Sequence, residues 1–135
     1  MPRNAIIAGL TAAVIATAGF SAPAHAGGQI AIDIVPGSPE EAEAMRTGLQ
    51  IYGIINGLQN GANINQLGLG NMAGIGQNGS GNYGVVHQQG NGHSGTLQQN
   101  GNNNAYGVFQ FGENTNANVT QNGNNGTGAT LVFGW

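Results

Sequence analysis

The sequence predicts an all-β protein: a β-solenoid of stacked 22-residue strand-turn-strand coils, with a short N-terminal strand and helix segment after a signal peptide. Three observations lead to this prediction. A glutamine recurs every 11 residues, an aliphatic residue and a glycine keep fixed places around each glutamine, and almost no charge interrupts the pattern. A disordered low-complexity tract would not hold several positions in register over six units.

Residues 1–26 have the three parts of a secretory signal. Arg3 supplies the positive charge, an apolar run rich in Ala and Ile extends to Phe20, and residues 24–26 form an A-x-A cleavage site. The run is short and ends in small residues and a proline, so a transmembrane helix is the weaker interpretation. We therefore expect a secreted, cell-surface protein whose mature chain begins at Gly27 and has no membrane span.

The mature chain lacks the cysteines that stabilise many small exported proteins, and it has few charged residues. It has no cysteine, which excludes disulfides and thiolate metal sites. From residue 47 to the C-terminus the charged or titratable side chains, tyrosine aside, are Glu113, His87 and His93. Without Lys or Arg, this region cannot make the phosphate contacts that nucleic-acid binding requires. It also lacks the charges that keep sheet edges apart.

Residues 27–46 are predicted to form a separate N-terminal segment. Isoleucines at every second position indicate a strand that ends before Pro36. Ser38 is placed to cap a helix, with Glu41 three residues later as in a capping box, and the helix is predicted to continue to about Arg46. The segment either covers the first coil or serves as an address that an export machine reads.

Residues 47–135 are predicted to form the solenoid. In each 11-residue unit an aliphatic residue precedes the glutamine by two positions, and a glycine follows it by two. The glutamines are Gln66, Gln77, Gln88, Gln99, Gln110 and Gln121. The core aliphatic residues are Ile64, Ile75, Val86, Leu97, Val108 and Val119. The turn glycines are Gly68, Gly79, Gly90, Gly101, Gly112 and Gly123.

The spacing within a unit predicts the shape of a coil. Side chains two apart share one face of a strand, so the aliphatic residue and the glutamine both point inward. The residues that follow are mostly Gly, Asn and Ser, which accept the positive φ of a tight reversal. Stacked coils then align the glutamines into one ladder on each wall. The register continues weakly outward, with Ile55 and Val132 in the glutamine position.

Both ends of the predicted stack are open. Residues 130–135 are apolar, uncharged and β-prone, so we expect them to pair with another chain. The last coils also carry outward-facing aromatic residues, which either pack against each other across neighbouring coils or form an assembly surface. These residues are Phe109, Phe111, Phe133 and Trp135.

The repeat resembles that of the curlin family, the subunits of curli fibres. The curlin pattern S-x5-Q-x-G-x-G-N-x-A-x3-Q is matched from its first glutamine without a mismatch by residues 66–77. Residues 88–99 and 110–121 keep the spacing with two substitutions each, and asparagine replaces the leading serine in all three copies. The resemblance covers about residues 53–135.

The resemblance implies a subunit of an extracellular functional amyloid, a fibre or pilus that self-assembles by cross-β stacking. Such fibres serve cell adhesion and the biofilm matrix. The implied partners are further copies of the chain, a nucleating curlin and an outer-membrane export pore. The chain has fewer complete repeats than the familiar major subunit, so a nucleator or accessory role stays open. A non-polymerising secreted adhesin is the alternative from another class.

Catalysis, cofactor binding and ice binding find no support in the sequence. His87 and His93 are expected to face solvent, with no carboxylate partner except Glu113. Two histidines without repeated acids make a poor metal site. An ice-binding solenoid would need a flat outward array of threonines, whereas the outward positions here are mixed. The sequence therefore predicts neither an enzyme nor a cofactor.

Overall fold

The computed structural model describes residues 27–56 and 61–135. The predicted signal peptide, residues 1–26, lies outside the described residues. The elements are β1 (Gln29–Ile34), α1 (Pro39–Ile55), β2 (Ala62–Leu67), β3 (Met72–Asn78), β4 (Tyr83–Asn91), β5 (Ser94–Asn100), β6 (Ala105–Glu113), β7 (Asn116–Asn122) and β8 (Thr127–Gly134).

The strands form two facing sheets that wind into a β-solenoid of about three turns. Sheet A has the strand order β1-β8-β6-β4-β2, and sheet B has the order β3-β5-β7. The chain alternates between the sheets, so β2 and β3 form the first coil, β4 and β5 the second, and β6 and β7 the third. Strand β8 adds a half coil to sheet A. The predicted all-β solenoid is confirmed.

Each strand from β2 onward pairs in parallel with the strand one coil away. Gln66 lies opposite Gln88 in sheet A, an offset of 22 residues along the chain. Sheet B keeps the same offset, and the register continues to β8, where Val132 lies opposite Gln110. The 22-residue coil is therefore confirmed through the last strand.

The main core lies between the two sheets. Val86, Val108 and Val132 from sheet A pack with Leu97 from sheet B, and all four are fully buried. Full burial of one such side chain contributes roughly 1.5–3 kcal/mol. This apolar core is thin, and glutamine side chains fill the space beside it.

The helix α1 begins where the capping signal predicts and ends later than predicted. Ser38 Oγ accepts a hydrogen bond from the Glu41 N–H at 3.2 Å. The helix then ends at Ile55, not near Arg46. Ile55 is therefore helical and does not occupy a glutamine position in an outer strand. Within residues 27–56 and 61–135, no helix is long and apolar enough to cross a membrane.

Packing on the outer face of sheet A explains the length of α1. Met45, Leu49 and Tyr52 follow one another at spacings of four and three, so they share one face of the helix. They pack around Val85 and Ala105, which are fully buried on that side of the sheet. The helix contacts β8, β6 and β4 in this way. Its second half is thus held by the sheet.

Strand β1 changes the expectation about the ends of the stack. It pairs antiparallel with β8, from Gln29 opposite Gly134 to Ile34 opposite Ala129. The prediction that residues 130–135 present an open edge is therefore wrong for the single chain. The N-terminal segment also covers the last coil with its strand, not the first coil.

Candidate functional site

Two ladders of glutamine side chains run along the stack, one on each wall. On sheet A, Gln66 Nε2 donates to Gln88 Oε1 at 2.9 Å, and Gln88 Nε2 donates to Gln110 Oε1 at 2.8 Å. On sheet B the same bond measures 2.9 Å in both steps, along Gln77, Gln99 and Gln121. The strand spacing of about 4.8 Å lets each amide donate to one neighbour and accept from the other.

The central glutamines are fully satisfied although they are buried. Gln88, Gln99 and Gln110 have no exposed surface. The amide nitrogen of each also donates to a main-chain carbonyl, as Gln88 does to Met72 at 2.7 Å and Gln99 to Tyr83 at 3.1 Å. Burying these amides therefore leaves no unpaired polar group, which would otherwise be costly.

The burial of the predicted core aliphatics depends on their coil. Val86, Leu97 and Val108, in the second and third coils, are fully buried. Ile75 and Val119 pack against them and are partly buried. Ile64 shares the inward register of Val86, yet it is 43% exposed because no coil lies beyond it among the described residues.

The six predicted turn glycines all have positive φ, between 90° and 126°. A side chain is excluded there for a second reason: a Cβ on Gly79 would lie 1.9 Å from the carbonyl oxygen of Gly101 in the next coil. A second turn position also has positive φ and is filled by Gly70, Gly81, Gly92, Asn103, Asn114 and Asn125. Glycine and asparagine are the residues that adopt this conformation most readily.

A second set of buried polar residues, which the sequence did not lead us to predict, lies at the turns five residues after every ladder glutamine except Gln121. Asn104 is fully buried; its Nδ2 donates to the Gly123 carbonyl at 2.7 Å, and its Oδ1 accepts from the Gly126 N–H at 2.9 Å. Asn82 makes the equivalent bonds one coil earlier, to Gly101 and Asn104. The 11-residue recurrence of polar residues at this position was the available signal.

His93 occupies this turn position on the other wall, and it is buried, not solvent-facing as predicted. It is 1% exposed. Its Nε2 lies 3.1 Å from the Gln89 carbonyl, and its Nδ1 lies 2.8 Å from Thr115 Oγ1. A neutral imidazole that donates from Nε2 and accepts at Nδ1 satisfies both contacts. His93 therefore takes the structural place of an asparagine.

His87 lies on the outer face of sheet A, beneath α1. Its Nδ1 is hydrogen-bonded to the Tyr52 hydroxyl, and the two rings meet edge to face with centroids 5.7 Å apart. Burial lowers the pKa of His87 and raises the pKa of Tyr52. Both groups are thus favoured in their neutral forms, and the pair ties the helix to β4.

The four candidate assembly aromatics differ in what covers them. Phe109 lies beneath α1, with its ring edge to face with that of Tyr52. Phe111 and Phe133 stack across neighbouring coils, with centroids 5.4 Å apart. The main chain of Trp135 pairs with Gly28 beyond the end of β1. Phe133 and Trp135 remain 41% and 42% exposed.

The two ends of the stack differ. At the open end, which we define as the outer edges of β2 and β3, no further strand pairs among the described residues. At the closed end, which we define as β1 with β8, the edge of β8 is covered by β1. Beside the closed end a cavity of about 390 Å³ borders β7, because sheet B has no strand there to match β8 and β1.

Comparison of the chain with family models, curated proteins and solved structures finds no match. In the part of the chain that the structure describes, no three His, Asp or Glu side chains lie together as metal ligands would. The ladders and the two ends are therefore the features from which we argue a function.

Proposed function

We propose that the chain is a structural subunit of an extracellular cross-β fibre that grows by joining solenoids end to end. The observation that carries this proposal is the open end. There, the edges of β2 and β3 present unpaired N–H and C=O groups at the same level of the stack. Such a row of main-chain groups is a template for a strand of another chain.

The side chains at the open end favour association. Ile64, Leu67, Leu69 and Met72 all lie in the first coil, and they are 43%, 52%, 80% and 68% exposed. No charged residue belongs to this coil, so nothing there repels a second copy. Joining two chains would remove this apolar surface from water, which stabilises the contact by about 25 cal/mol for each Å² buried.

The ladders add polar groups to the same surface. In each bond between ladder glutamines the earlier residue donates to the later one, so the oxygens of Gln66 and Gln77 are not used within the ladders and lie at the open end. Neither oxygen has a donor from the described part of the chain. A further strand with a glutamine in register would supply one, as happens at each step inside the stack.

The biological role follows from the resemblance to the curlin repeat. A curli-like fibre would be exported through an outer-membrane pore, started by a nucleating curlin, and used for cell adhesion and the biofilm matrix. The exported location rests on the leader-like residues 1–26, with their positive start, apolar run and A-x-A site.

A second candidate function is an accessory or nucleating subunit at the end of such a fibre. The observation that favours it is β1, which covers one edge and leaves the opposite edge of sheet A free. A chain that offers a free edge in the parallel register of the repeat at one end of sheet A, and an antiparallel strand at the other, can join a fibre without extending it. A chain whose open edges bind only other ligands would instead be a non-polymerising adhesin.

The test starts from the predicted mature chain, residues 27–135, held at neutral pH. We expect dye-binding fibres whose diffraction shows the strand spacing of about 4.7–4.8 Å. The variant Leu69→Lys places a charge in the turn between β2 and β3, beside the open end, and should lengthen the lag time at least about tenfold. Its free energy of unfolding should change by less than about 0.5 kcal/mol, because Leu69 is on the surface.

Ile54→Lys is the matched control. Ile54 is 72% exposed, close to the 80% of Leu69, but it lies on α1 outside both sheets. Its lag time should stay within about twofold of that of the unmodified chain. Equal delays in both variants would mean that added charge, not the open end, controls assembly. A chain that stays monomeric and β-rich would exclude the fibre and favour the adhesin.

A further inference from the structure

Strand β1 is an exception in the solenoid. Every other pairing between its strands is parallel, whereas β1 lies antiparallel on β8. Strand β1 comes from outside the 11-residue repeat and contributes no glutamine to the ladders. The ladder on sheet A already stops at Gln110, because Val132 occupies the glutamine position in β8. The strand therefore completes an edge that the repeat itself leaves unpaired.

The side chain of Gln29 extends this coverage to sheet B. Its Nε2 donates to the Asn116 carbonyl at 3.0 Å, and its Oε1 accepts from the Asn116 N–H. A side-chain amide here takes the place of a neighbouring main-chain peptide. Strand β1 thus covers the whole edge of β8 and the first position of β7.

Asp33 is exposed at the closed end, on the face of β1 that it shares with Ala31. It lines the 390 Å³ cavity beside β7, together with Ala31 and Thr130, and its Oδ1 accepts a hydrogen bond from Thr130 Oγ1 at 2.7 Å. A carboxylate at this place would be buried if another coil were stacked on it, and burying an unpaired charge is costly. Charges of this kind protect sheet edges from pairing.

The contacts that hold β1 are nevertheless limited. None of its six residues is fully buried, and Ile30, Ile32 and Ile34 are only partly covered by Phe133, Leu131 and Ala129. Strands with few buried contacts open at a smaller free-energy cost than the global unfolding of the protein. By this argument β1 should separate from β8 at a smaller free-energy cost than unfolding of the coils beneath it.

We propose that β1 is a displaceable closing strand: it keeps the last coil from pairing until a second copy of the chain docks its β2 on the edge of β8. The proposal rests on the fibre function proposed above. The partner is a second copy because β2 belongs to the same sheet, has a free edge, and pairs in parallel as the repeat requires. The released β1 runs in the direction of β7 and is long enough to fill the unoccupied position beside it.

A disulfide between β1 and β8 tests this inference in the mature chain. Ala31 and Val132 face each other across the two strands. Gly28 and Trp135 exchange both hydrogen bonds, and residues 31 and 132 lie three positions further along, an odd number, so the alternation makes 31 and 132 a non-bonded pair. Such pairs have Cα atoms about 4.5 Å apart, within the range of a disulfide. The chain has no other cysteine.

We expect oxidised Ala31→Cys/Val132→Cys to assemble with a lag time at least about tenfold longer than that of the same protein after reduction. The control staple Thr96→Cys/Asn118→Cys joins β5 to β7 at facing positions and leaves β1 free. Its oxidised and reduced forms should assemble alike. Oxidised A31C/V132C that assembles as fast as its reduced form would overturn the closing role.

The variant Ile32→Pro distinguishes failure of the closing role of β1 from failure of the proposed fibre function. Proline at 32 removes an N–H that bonds to β8, so β1 is loosened while every repeat residue is kept. If Ile32→Pro assembles faster than the unmodified chain, the result supports the closing role of β1. The same holds if the unmodified chain stays monomeric and Ile32→Pro assembles. If the unmodified chain, the reduced pair and Ile32→Pro all stay monomeric, the fibre function falls, and the closing role with it.

Discussion

The first coil and the last strand of this solenoid carry the same repeat but differ in what covers them. At the open end Ile64 points inward and is still 43% exposed, whereas Val132 at the closed end has no exposed surface. The difference comes from β1, which lies outside the repeat and pairs with β8. The repeat alone therefore does not determine whether the ends of the stack are available to pair with another chain. A short strand from outside the repeat can cover one end and so make the two ends different.

Removing methyl groups at the two ends should give the largest contrast. Val132→Ala leaves a cavity in the buried core and should lower the free energy of unfolding by about 2 kcal/mol. Ile64→Ala removes more atoms but should cost less than about 1 kcal/mol, because Ile64 is already in contact with water. Urea unfolding of the monomer, followed by circular dichroism, measures both values. Equal losses would indicate that the first coil is covered in solution.

The hydrogen bonds at the closed end should give the next largest effect. Thr130 Oγ1 bonds to Asp33 and lies 2.8 Å from the Tyr106 hydroxyl. Thr130→Val removes these bonds without changing the shape of the side chain and should cost about 1–2 kcal/mol. Hydrogen exchange should become faster in β1 and stay unchanged in β2.

Thr120→Val is the control for this change. Thr120 is exposed on β7, and its hydroxyl makes no hydrogen bond within the described residues. The free energy of unfolding should then change by less than about 0.5 kcal/mol. Unchanged exchange of β1 in Thr130→Val would show that Asp33 does not help to hold the strand.

The exposed aromatics should give a smaller effect on stability. Phe133 stacks on Phe111, so Phe133→Lys should cost about 0.5–1.5 kcal/mol. If Phe133 and Trp135 also form an assembly surface, replacing both by Lys should slow fibre formation in a thioflavin assay. An unchanged lag time would leave their role as packing alone.

Much of the stack could be predicted because a strict period constrains it. Spacing alone placed the ladder glutamines, the inward aliphatics and the turn glycines, since side chains two apart share a face and stacked repeats align like with like. The buried position of Asn104 could have been predicted by the same argument. His93 was harder, because a single histidine in a polar repeat resembles a surface residue until its turn position is recognised.

The N-terminal segment could not be predicted to the same depth. Its strand and the start of its helix follow from local signals, an alternation of isoleucines and the cap at Ser38. The end of α1 depends on Leu49 and Tyr52 reaching Val85 and Ala105 on a distant sheet face. The pairing of β1 with β8 joins residues nearly the whole mature chain apart. No local pattern specifies such tertiary contacts.

The smallest expected effect concerns the tie between α1 and the sheet. The pKa of His87 is lowered from its ordinary value of 6.5 because the helix buries the ring, and the group that faces it from α1 is the Tyr52 hydroxyl. The unfolded chain therefore binds a proton at His87 more readily than the folded chain. The stability that neutral His87 contributes is complete above pH 6.5 and is lost as the pH falls through the lowered pKa.

His87→Gln removes this titration and keeps an acceptor for the Tyr52 hydroxyl. The free energy of unfolding of the variant should therefore fall less between about pH 7 and pH 5 than that of the unmodified chain. Urea unfolding of both proteins at both pH values measures this difference in the free energy of unfolding, and hydrogen exchange in α1 shows whether the helix loosens. Because α1 crosses from β8 to β4, loosening it at acid pH should also free the chain that leads to β1. Identical pH dependence in the two proteins would mean that the protonation of His87 does not weaken the contact between α1 and β4.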